Sequence, residues 1–407
     1  MKKIYSNVKN REAVTVYYIG IFLLDFALSL TAAIYVIFLI KNGLNLLQAN
    51  LVNAVFMVSI FLLEVPTGAF ADSIGRKNSV LISTLFLMLG LAFYPIFRNF
   101  YAFLLAEIFI AASSAFASGA FDAWMVDTSK QQGFAGKVDF VFSQASVVSK
   151  SALLLGGLSG AYLANLYLGL PFYLGAFVAL LAFAFLLIFM AEDERVKSFS
   201  LVSSLRKIKT IAKDSIQYSA SHKVISWLLV GGILGTLISQ PMNMFWAPRF
   251  NEMVGDRIWL TGWFWAFISL FMILGSYSVK IFLKRGKDYA FLMILASLGI
   301  FLPIILSAQS KILFVAFPMF LIYELTRGVQ GPVELAYINK YAESEKRATI
   351  LSFKSMARSL GAAGGLVIFG WIAKNTSIEV SWTIAGVLSL ALIPVYLMAR
   401  KKEGLYN

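Results

Sequence analysis

The chain has no cysteine and a single histidine, His222. The first absence removes a disulfide framework, a thiolate nucleophile and any cysteine-based metal site. The second leaves no histidine cluster for zinc, and no phosphate-loop pattern or acid–base pair in register occurs. An enzyme is therefore not expected, nor a bound cofactor or metal. Charge is scarce as well. Only 14% of the 407 residues are charged, against about 25% in soluble domains. With 59% hydrophobic residues and a mean hydropathy of +0.78, the natural solvent is a bilayer.

A helical span needs about 20 mostly apolar residues. Twelve such stretches lie near 14–40, 48–70, 79–97, 101–126, 140–165, 171–191, 224–247, 258–282, 289–307, 312–339, 348–373 and 378–398. They predict an all-α membrane protein. The basic start is followed by an apolar run too long for a signal peptide and without an obvious cleavage site, so it reads as the first span. The net charge of +14 would suggest nucleic acid in a soluble protein, but its distribution says otherwise. With the N-terminus inside, 25 of the 35 Lys and Arg fall on the cytoplasmic side and six outside, while Lys150, Arg327, Lys354 and Arg358 lie within spans. The positive-inside bias then puts both termini in the cytoplasm of a multi-pass cell (inner or plasma) membrane protein, with the lipid bilayer as partner and no nucleic acid.

Residues 192–223 form the longest polar interruption. They divide the chain into an N-terminal six-helix bundle, 1–191, a cytoplasmic linker, 192–223, and a C-terminal six-helix bundle, 224–407. Within the linker, Leu201, Leu205, Ile208, Ile211 and Ala212 recur at helical spacing opposite Arg206, Lys207, Lys209 and Lys213. That suits a helix lying on an anionic leaflet, or equally a solvated linker helix. The halves also look alike. Lys150 precedes Gly156 and Gly157 as Arg358 precedes Gly364 and Gly365, 208 residues on, and nearly the same offset pairs Gly119 with Gly328 and Ser143 with Ser352. Six-span repeats of this kind build two bundles around a site near the membrane midplane.

Between spans two and three the chain reads Gly68-Ala-Phe-Ala-Asp72-Ser-Ile-Gly75-Arg76-Lys77. A glycine, an aspartate four residues on, and then Gly-Arg-Lys resembles the cytoplasmic motif of the major facilitator superfamily, and the chain is similar to its bacterial multidrug efflux members. The resemblance implies twelve transmembrane helices in two pseudo-symmetric six-helix bundles and alternating access. It also implies a latch in which Asp72 and Arg76 hold the N-terminal bundle, with Asp127 as a further partner. Gly68 would let helices approach closely, Gly75 would permit the tight turn, and Lys77 would face the cytosol. Ser73 stands where the family usually has arginine, so one latch contact is missing. The counterpart between spans eight and nine is reduced to Lys284-Arg285-Gly286-Lys287-Asp288.

Ionisable groups within spans are costly unless paired or hydrated, so each is a functional candidate. Asp25 lies eleven residues into span one, near the midplane at about 1.5 Å per residue. It suits a proton carrier, and a structural ion pair with Lys150 at similar depth is equally open. Glu324 precedes Arg327 by one turn in span ten, where the two either neutralise each other or serve coupling. Glu107 falls in the outer third of span four and is the third proton-coupling candidate. Lys354 and Arg358 would pair with Glu324 or bind an anionic substrate, whereas Glu64, Asp122 and Glu334 suit gating or helix-end roles. In span seven, Gln240, Asn243 and Trp246 stand in a proline-punctuated stretch that predicts a broken helix, a mark of transporter sites.

The candidate cavity residues are thus Lys150, Gln240, Asn243, Trp246, Arg327, Lys354 and Arg358. The expected function is monomeric, proton-coupled export (antiport) of amphipathic or drug-like small molecules, for which buried carboxylates and many aromatics suit hydrophobic cations better than sugars. A symporter or facilitator for a small organic anion, motivated by the four intramembrane cations, and a lipid flippase of the same fold are the alternatives.

Overall fold

The computed structural model describes residues 13–134, 136–191, 222–284, 288–343 and 346–403. The linker helix read at 201–213 and the Arg285–Lys287 turn lie outside them. Among the described residues all regular structure is helical. Helices α1 (Ala13–Ser29) and α2 (Tyr35–Lys41) make the first span, followed by α3 (Leu46–Ile74), α4 (Arg76–Ile96), α5 (Phe100–Ala117), α6 (Ala120–Gln131), α7 (Val138–Leu166) and α8 (Leu170–Phe189). The second half contributes α9 (Lys223–Met253), α10 (Trp259–Lys284), α11 (Tyr289–Gln309), α12 (Leu313–Tyr341), α13 (Arg347–Asn375), α14 (Ile378–Ser389) and α15 (Leu392–Glu403).

Ten stretches are long and apolar enough to cross a membrane when α5 is joined to α6 and α14 to α15. The remaining two of the twelve expected spans depart for readable reasons. The α1–α2 span is interrupted, and α12 carries Glu324, Arg327 and Glu334 along its length. Local chemistry sets several ends. Asn99 caps α5 by accepting from the Ala102 amide at 3.0 Å, and Asp288 does the same for α11 at Phe291. Gly75 joins α3 to α4 with φ +113, a conformation that disfavours any side chain.

Internal packing divides the chain into two compact units, Met1–Phe38 with Leu62–Ile208 and Leu39–Phe61 with Lys209–Asn407. Each repeats the same helix pairing. In the first, α1 packs on α7 and α8 while α4 packs on α5 and α8; in the second, α9 packs on α13 and α15 while α11 packs on α12 and α14. Small residues permit these approaches. A Cβ at Gly160 of α7 would stand 1.8 Å from the Leu30 carbonyl oxygen, and one at Gly365 of α13 would stand 2.3 Å from that of Leu237 in α9. Gly90 on Ile110 and Gly299 on Thr326 form a second equivalent pair. This is the pseudo-symmetric two-bundle architecture.

Three sequence expectations are corrected. Span seven is unbroken: α9 runs from Lys223 to Met253 with Pro241 and Pro248 inside it. Prolines free the carbonyl one turn back, and for Pro241 that carbonyl, Leu237, is covered by Gly365. The break falls in span one, where Ala32 and Ile34 bond back only three residues, to Ser29 at 3.0 Å and Thr31 at 3.0 Å. Ser29 and Thr31 promote it by bonding the Phe26 and Leu28 carbonyls, an alternative to the helical ladder. Gly68 has nothing within 4 Å of a Cβ position, so it makes no close helix contact. Finally, Gly119 and Gly328 are not equivalent. Gly119 turns the chain between α5 and α6 at φ +70, while Gly328 packs inside α12 on the Met272 carbonyl.

Candidate functional site

Each unit contains its own polar cluster, and the two differ in chemistry. In the first unit Ile21, Leu24, Asp25 and Leu28 form one stripe of α1, at the i, i+3, i+4 and i+7 spacing of a helix face. They line a cavity of about 420 Å³ together with Ser83 of α4, Ser113 and Ser114 of α5, and Asp122 of α6. Asp25 is half-buried, with the Ser149 hydroxyl of α7 as its hydrogen-bond partner. The pairing with Lys150 does not form. Successive residues on a helix point about 100° apart, so α7 turns Ser149 toward Asp25 and leaves Lys150 exposed. Asp122 accepts from the Tyr17 hydroxyl at 2.5 Å, tying α6 to α1.

Glu107 of α5 is only 4% exposed. Its carboxylate accepts from Tyr35 of α2 at 2.6 Å and from Tyr94 of α4, and among the described residues no cation pairs with it. Tyr35 is delivered there by the short helix that follows the break in span one. Sequence reasoning found the acid and missed both tyrosines, which lie 72 and 13 residues away at no spacing that any helical pattern specifies. A hydrogen bond to a charged group is worth about 1.5–3 kcal/mol. Tyr94→Phe is accordingly expected to lower the apparent melting temperature in detergent by several degrees, and Glu107→Gln together with Tyr94→Phe to lower it less than the sum of the two single changes; additivity in that cycle would show that the groups do not interact.

The motif loop is assembled in part. Arg76 meets Asp127 of α6 at 2.5 Å and donates to the Ala123 carbonyl at 2.6 Å. Lys77 donates to the Met190 carbonyl at 2.8 Å and that of Leu187 at 3.1 Å, closing the end of α8. Asp72 is exposed and makes no ion pair among the described residues.

In the second unit Glu324 is 2% exposed and meets Arg327 at 2.7 Å, so the i, i+3 pair is self-neutralising. Arg327 also donates to Asn243 of α9 and lies over the Tyr323 ring. Lys354 and Arg358 do not reach Glu324. Both pair with Glu334, at 3.2 and 3.1 Å. Ten residues along α12 are about 15 Å, and the depth of the two cations on α13 matches Glu334 rather than Glu324. Arg358 is further held by the Thr236 hydroxyl of α9 at 2.9 Å.

These residues line two cavities. One, of about 340 Å³, is bordered by Asn243, Arg327, Gln330, Glu334 and Arg358; the other, of about 470 Å³, is bordered by Lys354, Arg358, Ser355 and Met57, and Gln240 lines both. Trp246 is buried on Trp265 and lines neither. An ion pair that the sequence did not disclose joins α9 to α14, buried Arg249 meeting half-buried Glu379 at 2.5 Å. A single arginine near a span end has the same sequence pattern whether it faces water or protein. Among the described residues no group of three or more His, Asp or Glu is placed to hold a metal ion.

Comparison with known proteins places this geometry in context. The family model described as Major Facilitator Superfamily matches residues 17–342. The "uncharacterized MFS-type transporter YxaM" of Bacillus subtilis is 25% identical over 380 residues, covering 92% of this chain and 93% of the relative. The quinolone resistance protein NorA of Staphylococcus aureus is 21% identical over 397 residues, covering 97% and 98%. Among solved structures, the nucleoside transporter NupG superposes with a TM-score of 0.77 at 12% identity, covering 96% of this chain and 100% of that one, which is a likeness of fold.

Proposed function

We propose that this chain, which belongs to the Major Facilitator Superfamily and is a multi-pass membrane transporter of that fold, is a proton-coupled exporter of amphipathic small molecules working by alternating access. It would act as a monomer in the cell membrane with both termini cytoplasmic, the orientation that the lysine and arginine distribution favours.

The observation that carries the reading is Asp25. It is a midspan carboxylate with a serine hydroxyl and, among the described residues, no cation beside it, open to a cavity in the first unit, so it can give up and regain a proton during a cycle. Glu324 is less suited because Arg327 already neutralises it, and Glu107 is less suited because it is sealed beneath Tyr35 and Tyr94. The likeness over nearly the whole chain to a quinolone resistance protein supports export of drug-like compounds.

Proteoliposomes with an acid interior are the test, loaded from outside with a cationic and an acidic fluorescent amphiphile in parallel. Gradient-dependent accumulation of at least one dye is expected, abolished by an uncoupler and by Asp25→Asn but retained with Glu324→Gln. Wild-type protein that accumulates neither dye above empty liposomes would overturn the reading, and an Asp25→Asn variant equal to wild type would remove Asp25 as carrier.

A further inference from the structure

We infer that the 340 Å³ cavity of the second unit is the docking site for an acidic headgroup, and hence that the transported compound is an amphipathic organic acid. The inference deepens the transport reading and rests on it.

The first argument is charge. Among the described residues, Arg327, Lys354 and Arg358 pair with two carboxylates, Glu324 and Glu334. One of these, Glu334, is shared by two cations, so positive charge is left over where burial makes it costly.

The second argument is the direction of the unused hydrogen bonds. Arg358 spends Nε on Thr236 and one terminal nitrogen on Glu334, and its other terminal nitrogen meets no protein acceptor among the described residues. Its side chain is nevertheless 41% exposed. The amide nitrogen of Gln330 is buried without an acceptor. Asn243 gives its oxygen to Arg327, which leaves its amide hydrogens free. Three donors from α9, α12 and α13 therefore line one cavity. The Gln330 amide is the buried one, where an unpaired donor is costly, and a carboxylate or sulfonate supplies an acceptor that all three donors can reach. One unpaired acceptor, Glu334 Oε1, is also present, but its carboxylate already carries Lys354 and Arg358.

The third argument is shape. Gly235 and Gly331 line the cavity with nothing within 4 Å of a Cβ position, so the backbone leaves room for a headgroup. Met272 and Met293 add adaptable apolar surface. Arg358 also borders the neighbouring 470 Å³ cavity, where Met57, Leu335, Leu351 and Ala362 supply apolar lining. The guanidinium thus stands where an acid group and a hydrophobic body would meet.

The test is equilibrium binding to the purified full chain in detergent, followed by fluorescence polarisation of dansyl-labelled undecanoic acid. The matching primary amide and alkylamine serve as comparison probes. Two charge-assisted hydrogen bonds correspond to a preference for the acid of about tenfold or more. Arg358→Gln should erase that preference. The triple change Lys354→Met, Glu334→Gln and Arg358→Gln should do the same without leaving a buried charge unpaired, should the single variant fail to fold. Gln330→Met removes a donor that holds nothing among the described residues, so it should weaken acid binding severalfold while leaving the melting temperature unchanged, a separation that a merely structural role would not produce. Equal binding of acid and amide by wild type, tighter binding of the alkylamine, or full acid preference in the triple variant would each overturn the inference. Because the measurement needs no gradient, acid-selective binding without gradient-driven uptake would sink proton-coupled export and leave the acid site standing.

Discussion

Glu334→Ala is expected to destabilise the second unit more than any other single charge removal in the chain. Glu334 is 3% exposed, and it is the carboxylate that meets both Lys354, 9% exposed, and Arg358. Its removal leaves two cations facing each other without a counter-charge, and breaking a buried pair in this way costs about 3–5 kcal/mol. Arg358 keeps its bond to Thr236, which limits the relaxation open to it. Removing Lys354 at the same time should recover much of the loss, because one cation can turn toward the cavity whereas two cannot. The measurement is the apparent melting temperature of purified protein in detergent for Glu334→Ala, Lys354→Met and the double variant. A double variant as unstable as Glu334→Ala alone would show that the cations do not repel, and the electrostatic account would fall.

Gly160→Ala should abolish a properly packed first unit. A methyl group there would lie 1.8 Å from the Leu30 oxygen and 2.6 Å from the Leu30 carbonyl carbon. Both are backbone atoms at the break of span one, so no rotamer change relieves the clash and α7 must move away from α1. Overpacking a well-filled contact costs about 1–3 kcal/mol when side chains can adjust, and here the main chain must. Separation would also pull Ser29 from the Ala152 carbonyl, now at 3.1 Å, and Ser149 from Asp25, so coupling should fail along with stability. Gly364→Ala is the matched control, because nothing lies within 4 Å of its Cβ position. Size-exclusion profiles and uptake should separate the two variants clearly. A monodisperse, active Gly160→Ala protein would contradict the close contact.

The comparison of α9 with span one shows where sequence patterns mislead. Gln240, Pro241 and Pro248 read as a break because proline cannot donate to the helical ladder. In α9 the neighbouring helices tolerate it: Gly365 covers the Leu237 oxygen and Trp382 donates to the Pro241 carbonyl at 3.0 Å. The break formed instead at Leu30–Ile34, a stretch without proline or glycine, where the hydroxyls of Ser29 and Thr31 and the close approach of Gly160 act together. Half of that cause is supplied by a helix more than a hundred residues away.

What the sequence by itself determined is the architecture. A bilayer demands about 20 apolar residues per span, so the spans are written in local composition; the Gly75-Arg76-Lys77 turn follows from residue types at one loop, and its link to Asp127 from the family resemblance that the loop carries. The repeat was legible because the glycine pairs 156–157 and 364–365 recur at one offset, although the close contacts fall on Gly156 of the first pair and Gly365 of the second. What only the tertiary structure decided is the partnering of the buried charges. Periodicity tells which face of a helix a residue occupies, but not which helix lies opposite or at what depth. Hence Asp25 met Ser149 and not Lys150, Lys354 and Arg358 met Glu334 and not Glu324, and Glu107 acquired two tyrosines that no spacing could announce. A helix turns about 100° and rises about 1.5 Å per residue, so each outcome depends on how the whole helix is rotated and how deep it sits, and packing between helices sets both.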